Sequence, residues 1–233
     1  DLPVFAISDR ISVIRDGKYQ GTWKIPETTI PKIISVMIGR DLEEAFPDRH
    51  EEFADAPVML AAEGLATAHG LEGVDFSVRA GEIVGFAGLE GSGIDEIFDV
   101  LFGLESPTGG TVRYHSGEDL PKTPFAAIRK GLGMVPANRR EEGLMLPWSI
   151  RRNTSLAVLD RLLLALGVID RKSERALAGD YVRRLNVATD SIDKRVVNLS
   201  GGNQQKVVLA KWLATGPTVL ILNDPTRGVD VGA

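Results

Sequence analysis

The residues best suited to chemistry fall into three blocks. Leu199-Ser200-Gly201-Gly202-Asn203-Gln204-Gln205-Lys206 places a capping serine and two glycines at the start of a helix whose buried side includes Leu209, Trp212 and Leu213. Glycines in a first turn leave backbone N–H groups bare where the helix dipole favours an anion. A plain cap accounts for Ser200 alone; each glycine costs about 1 kcal/mol relative to alanine inside a helix. An anion is the ligand this pattern suggests. The second block is the apolar strand Val219-Leu220-Ile221-Leu222, with Asn223-Asp224-Pro225 at its C-terminal end. In open α/β sheets that edge is where ligands bind.

The third block is the loop Gly88-Leu89-Glu90-Gly91-Ser92-Gly93. Ile83–Ala87 before it reads as a short buried strand. After it, Ile94, Ile97, Phe98, Leu101 and Phe102 mark one apolar helix face. Strand, glycine loop and helix in that order form a phosphate cradle of the α/β class. A working loop of the form G-x-x-x-x-G-K-[ST] adds a lysine for the β/γ-phosphates and a hydroxyl for Mg²⁺. Here Ile94 takes the lysine position and Asp95 the hydroxyl position, with Glu96 next. The backbone cradle survives while its charge is inverted. Two unit charges about 4 Å apart interact by about 1 kcal/mol in water and about 4 at an effective dielectric near 20, so triphosphate binding is expected to be weak. A milder reading is that both acids simply favour a helix N-terminus. The two readings are compatible.

The elements that must hold these blocks can be read around them. Ile11–Val13 and Tyr19–Thr22 flank Asp16-Gly17, a hairpin signal. Residues 28–39 have near-helical apolar spacing, and the acidic stretch 41–56 with Pro47 reads as a linker. Val58–Leu60 and Val74–Val78 look like strands. Residues from Ala126 to about Val197 read as mostly helical, broken at Pro136, at the charged Arg139–Gly143 loop and at Pro147. Gly216-Pro217 stops the helix that Ser200 caps. The 233 residues carry a net charge of -5, which argues against a nucleic-acid partner. The absence of cysteine excludes disulfides and thiolate metal sites. His50, His69 and His115 have no ligand spacing with one another, and surface positions are expected for them. No apolar run reaches the roughly 18 residues that span a bilayer.

The blocks at 199–206 and 219–230, the latter continuing Pro225-Thr226-Arg227-Gly228-Val229-Asp230, resemble ABC ATPases of the monosaccharide-importer group, whose subunits carry two tandem nucleotide-binding domains. The resemblance runs along nearly the whole chain. It implies a P-loop NTPase fold of ABC type: a mixed sheet with an inserted helical subdomain at roughly 126–197. Residues 1–50 would be the end of a first nucleotide-binding domain plus linker, and 51–233 a second domain stopping after its D-loop. It further implies ATP and Mg²⁺ as cofactors and permease subunits as partners. A periplasmic sugar-binding protein would be an indirect partner, and the location the cytoplasmic face of the membrane. By resemblance, Leu199, Ser200, Gly201, Gly202, Asn203 and Gln204 form a signature that grips the γ-phosphate of an ATP held mainly by the other domain. Asp230 would be the D-loop aspartate.

Three places depart from the family pattern. The phosphate loop (Gly88, Gly91, Ser92, Gly93, Ile94, Asp95, Glu96) lacks lysine and hydroxyl. The usual Asp-Glu at the strand end is Asn223-Asp224, where Asp224 is the catalytic position but one methylene short; a misplacement of about 1 Å can cost roughly 10²-fold. Finally, Pro136-Ala137-Asn138-Arg139 replaces both acids of Pro-Glu-Asp-Arg. Little or no hydrolysis is expected at this chain's own site. Trp148 stands where the family's helical subdomain approaches the membrane partner, with simple packing the equal alternative. Two other functional classes compete. One is a non-catalytic scaffold or regulatory domain lending its signature and dimer surface. The other is a dinucleotide-binding oxidoreductase, which fits Gly88-x-x-Gly91-x-Gly93 but leaves the 199–230 block unexplained.

Overall fold

The computed structural model describes residues 4–15, 17–39, 53, 55–89, 91–115 and 120–229. They form two compact units, one ending at Gly39 and the other running from Phe53 to Val229. In the first unit a single helical turn, α1 (Val4–Ile7), leads into the antiparallel hairpin β1 (Arg10–Arg15) and β2 (Lys18–Lys24). This is the hairpin expected around Asp16-Gly17; Gly17 has φ +74, and Asp16 lies outside the described residues. Helix α2 (Ile30–Ile38) starts at the Thr29 cap and ends at Gly39 in the left-handed region (φ +83), burying Ile33 completely. Arg15 donates to the Val36 carbonyl at 3.0 Å, holding hairpin and helix together.

The second unit opens with β3 (Val58–Ala66), paired antiparallel with β4 (Val74–Arg79) on one side and β5 (Gly109–Tyr114) on the other. Between them in sequence lies α3 (Ile94–Phe102). Ile97, Phe98, Leu101 and Phe102 are buried, as the apolar spacing requires, and Gly103 (φ +75) closes the helix by donating to Asp99 and Val100. A Cβ there would sit 2.7 Å from the Pro121 carbonyl oxygen, so only glycine fits. Edge-to-face aromatic contacts carry α3 to both neighbours. Phe98 meets Phe86 at 5.7 Å, Phe86 meets Phe76 at 5.0 Å, and Phe102 meets Trp212 at 5.4 Å. Such rings add about 0.5–1.5 kcal/mol each beyond their buried area.

The stretch expected to be mostly helical holds a strand. After α4 (Pro124–Arg129) comes β6 (Leu132–Val135), buried at every position and parallel to β7 (Val219–Leu222). A four-residue apolar run has no periodicity to separate strand from helix, and the ladder with β7 decides the matter. The charged Arg139–Gly143 segment is a single π turn. Helices α5 (Ile150–Ser155), α6 (Arg171–Arg184) and α7 (Gly201–Leu213) follow, joined by 3-10 turns.

Ile83–Ala87 is not the buried strand anticipated. Val84 and Phe86 are half-buried while Ile83, Gly85 and Ala87 face outward, Ile83 with 96% of its surface exposed. The segment joins no ladder among the described residues. A cleft of about 960 Å³ separates it from 218–225. A fully buried strand needs partners for its N–H and C=O groups; lacking them, this segment keeps only the one-sided alternation that seats Phe86.

Candidate functional site

Phe86, wedged between Phe76 and Phe98, fixes the entry to the glycine loop, and α3 fixes its exit. Gly91 (φ +80) and Gly93 (φ +89) take the left-handed backbone that the bend needs. A Cβ on Gly88 would stand 2.4 Å from Ser92 Oγ and 3.3 Å from Ile94 Cδ1. The serine hydroxyl and the isoleucine methyl therefore crowd Gly88. Ile94, at the lysine position, packs half-buried against the core. Glu90 lies outside the described residues.

The two acids after Ile94 are both engaged. Asn223 donates from Nδ2 to Asp95 Oδ1 at 2.7 Å, and Thr67 donates through its hydroxyl to Glu96. Strand β7 brings Asn223 there, because its backbone N–H continues the ladder by donating to Val135 at 2.9 Å. Asp224 is exposed and sits at φ +42, its carbonyl accepting from Arg227 in the turn after β7. Burial, and then the negative charges of Asp95, Glu105, Glu142 and Glu96, push the Asp99 carboxyl above its ordinary range.

The signature block forms the first turn of α7. Ser200 is its cap, its hydroxyl accepting from the Asn203 N–H at 3.5 Å and from the Asn203 amide at 2.9 Å. Ser200 is exposed, Gly201 half-exposed and Gly202 buried. The other members of the block turn inward. Asn203 accepts from the Ala188 N–H at 2.7 Å, Gln204 is buried and donates to the Val196 and Leu199 carbonyls, and Leu199 is half-buried. Asn203 and Gln204 therefore support the turn, leaving Ser200 and Gly201 at the surface. Asp230 lies outside the described residues.

Two features escaped the sequence. Arg139 reaches the turn after β7, donating to the Arg227 and Gly228 carbonyls. A Cβ on Gly201 would meet Arg139 Nη2 at 2.7 Å, which gives that glycine a steric reason apart from any anion. Lys211 of α7 is 6% exposed; it donates to the Gly143 carbonyl at 2.7 Å and stacks on the Trp212 ring, and burial lowers its pKa to about 8. No periodicity marks either residue, since each acts through distant backbone carbonyls. His69, largely exposed, lies 3.7 Å from Glu105, and His115 is exposed after β5. Trp148 is 37% exposed on the rim of a cleft of about 450 Å³ lined also by Arg151, Arg152 and Glu174.

The ABC transporter family profile matches residues 71–227. The chain is 43% identical over 230 residues to the ribose import ATP-binding protein RbsA of Bacillus licheniformis, covering 99% of this chain and 46% of that protein. For RbsA of Bacillus subtilis the identity is 42%, again over 99% and 46%. The chain thus spans about half the length of the curated relatives it matches. Among solved structures, the ATP-binding cassette MJ1267 superposes with a TM-score of 0.63 at 19% identity, over 74% of this chain and 71% of that one. The cassette MJ0796 bound to ADP and Pi gives 0.62 at 19%, over 75% and 78%. These likenesses establish the fold of an ABC ATP-binding cassette. The chain belongs to the ABC transporter family.

Proposed function

We infer that this chain is a nucleotide-binding module of a monosaccharide importer that works by completing a neighbour's ATP site while its own phosphate loop stays idle. The bond between Asn223 and Asp95 carries the second half of this reading. In a loop that holds Mg-ATP, these two positions would turn a carboxylate and a hydroxyl toward the metal. Here an amide and an acid satisfy each other, Ile94 is drawn into the core, and Glu96 is held by Thr67. This donor set does not fit a magnesium-bound triphosphate.

The first half rests on the start of α7, where Ser200 is exposed and Gly201 half-exposed at a helix N-terminus, a place that favours an anion. ATP and Mg²⁺ would be held chiefly by the phosphate loop of a preceding nucleotide-binding domain, and this turn would close on the terminal phosphate. The relatives' names supply ribose import. We assign a monosaccharide of that kind as cargo, permease subunits as the membrane partner with a periplasmic sugar-binding protein beyond them, and the cytoplasmic membrane face as the location. Asp224 is a poor catalyst, and Asp230 is assigned to the dimer contact.

Photolabelling tests the division of labour. In a tandem protein in which this chain follows an intact nucleotide-binding domain, an azido-ATP probe should label the neighbour's phosphate loop and the 199–206 peptide. Label concentrated in the 88–96 peptide would refute the reading. A second test addresses the signature itself: the proposed function requires Ser200→Arg to abolish the tandem protein's ATPase, and intact activity would refute it.

A further inference from the structure

Arg139 joins three segments that are far apart in sequence. From the start of the π turn its guanidinium donates through Nη1 to the Arg227 carbonyl and through Nη2 to the Gly228 carbonyl, the latter at 3.0 Å. The first residue of α7 closes on the same point. A Cβ on Gly201 would stand 2.7 Å from Nη2 and 2.9 Å from the Gly228 oxygen. The far end of the π turn is clipped to α7 as well, because Gly143 accepts from Lys211 and lies against Val208.

The choice of acceptors is informative. Both are neutral carbonyls, Nε is buried without an acceptor, and among the described residues no carboxylate pairs with this guanidinium. An ion pair is therefore not what holds it. A guanidinium has a planar fork of donors, so two of its N–H groups can fix two consecutive carbonyls and with them the orientation of a peptide plane. An ammonium is a point charge and cannot do this. Gly228 (φ +62) supplies the backbone bend that turns both carbonyls the same way.

We propose that Arg139 is a positioning residue that locks the turn at 227–228 onto the first turn of α7. A ligand gripped at Ser200–Gly201 and the turn at 227–228 then move as one body. The mechanical part stands on the contacts above; its consequence for ATP turnover rests on the function proposed in the preceding subsection.

Hydrogen exchange on the 233-residue chain tests the mechanical part. In Arg139→Ala, amides in 198–205 and in 226–229 should both exchange about tenfold faster or more while those of α3 keep their rate. Arg139→Lys should leave 226–229 as unprotected as the alanine variant, and methylguanidinium should restore protection to Arg139→Ala without changing wild type. Acceleration in only one segment, a lysine variant equal to wild type, or equal acceleration throughout α3 each overturn the proposal. In the tandem protein, Arg139→Lys should lower kcat about tenfold and leave KM for ATP within about twofold. If Ser200→Arg proves silent there, the proposed function fails while the exchange result stands. If Ser200→Arg is inactive and Arg139→Lys changes nothing, or changes KM alone, the positioning role fails.

Discussion

Asn223 and Asp95, 128 residues apart in sequence, meet side chain to side chain at 2.7 Å across the mouth of the glycine loop. One comes from the end of a strand and the other from the first turn of a helix. In the function proposed above, their bond takes the place of a metal.

Nucleotide affinity should follow from that exchange of groups. Equilibrium dialysis of residues 57–233 should give millimolar or weaker ATP binding. Ile94→Lys with Asp95→Ser should tighten it by about tenfold or more, since an attraction of about 1–4 kcal/mol is gained and a repulsion removed. Micromolar affinity in the unaltered chain, or no change in the variant, defeats the charge argument.

Asn223→Asp should turn the same bond into a repulsion. Both positions are partly open to solvent, so a loss near 1 kcal/mol is expected at pH 7. The loss should shrink in acid as one carboxyl takes a proton, and also in millimolar Mg²⁺. Urea titrations with and without the metal decide it; a penalty blind to both pH and Mg²⁺ contradicts the geometry.

Lys211 gives a pH signature of its own. Burial holds its folded pKa near 8 against 10.5 for the free side chain. The unfolded chain therefore binds more protons between these values, and stability must rise with pH across that window. The stabilisation is fully present above about 10.5 and is lost as pH falls toward 8. Relative to Lys211→Met, wild type should gain on the order of 2–3 kcal/mol from pH 8 to 10.5. A difference that is flat in urea melts over this range excludes a buried, strained ammonium.

The helical part of the second unit holds a buried acid, Glu174, bonded by Ser155 at 2.9 Å and paired with Arg151, which also reaches Asp193 at 3.0 Å. Arg151→Met should cost about 3–5 kcal/mol by stranding that carboxylate. Adding Glu174→Leu should recover a good part of the loss. Two single-site costs that simply add would show the pair to be uncoupled.

Asn153 is fully buried with every polar atom in use, accepting from the Met145 N–H at 2.8 Å and donating to the Met145 and Ser149 carbonyls at 3.1 Å. Asn153→Asp would aim a carboxylate at two carbonyls. It should destabilise by about 2 kcal/mol or more at pH 7 and recover below about pH 5, where the acid is neutral and can donate again. Thermal melts at the two pH values suffice, and a pH-independent loss would point to packing instead.

Local chemistry was legible wherever a few neighbouring residues decide the outcome. The Ser200 cap, the apolar face of α3 and the inversion of charge at Ile94-Asp95-Glu96 each depend on residues within a turn or two, and sequence carries those directly. It suggested an anion-binding turn at 200–202, but it gave Gly201 a single purpose where the fold shows a second, room for Arg139. What tertiary structure alone decided are the long-range partners. Leu132–Val135 became a strand because β7 lies beside it, while Ile83–Ala87 did not, since it joins no ladder among the described residues. Asp95 turned out to be paired because β7 delivers Asn223. The reason is common to all of these: an apolar run or a polar side chain declares what it needs, and only the fold determines which distant group supplies it.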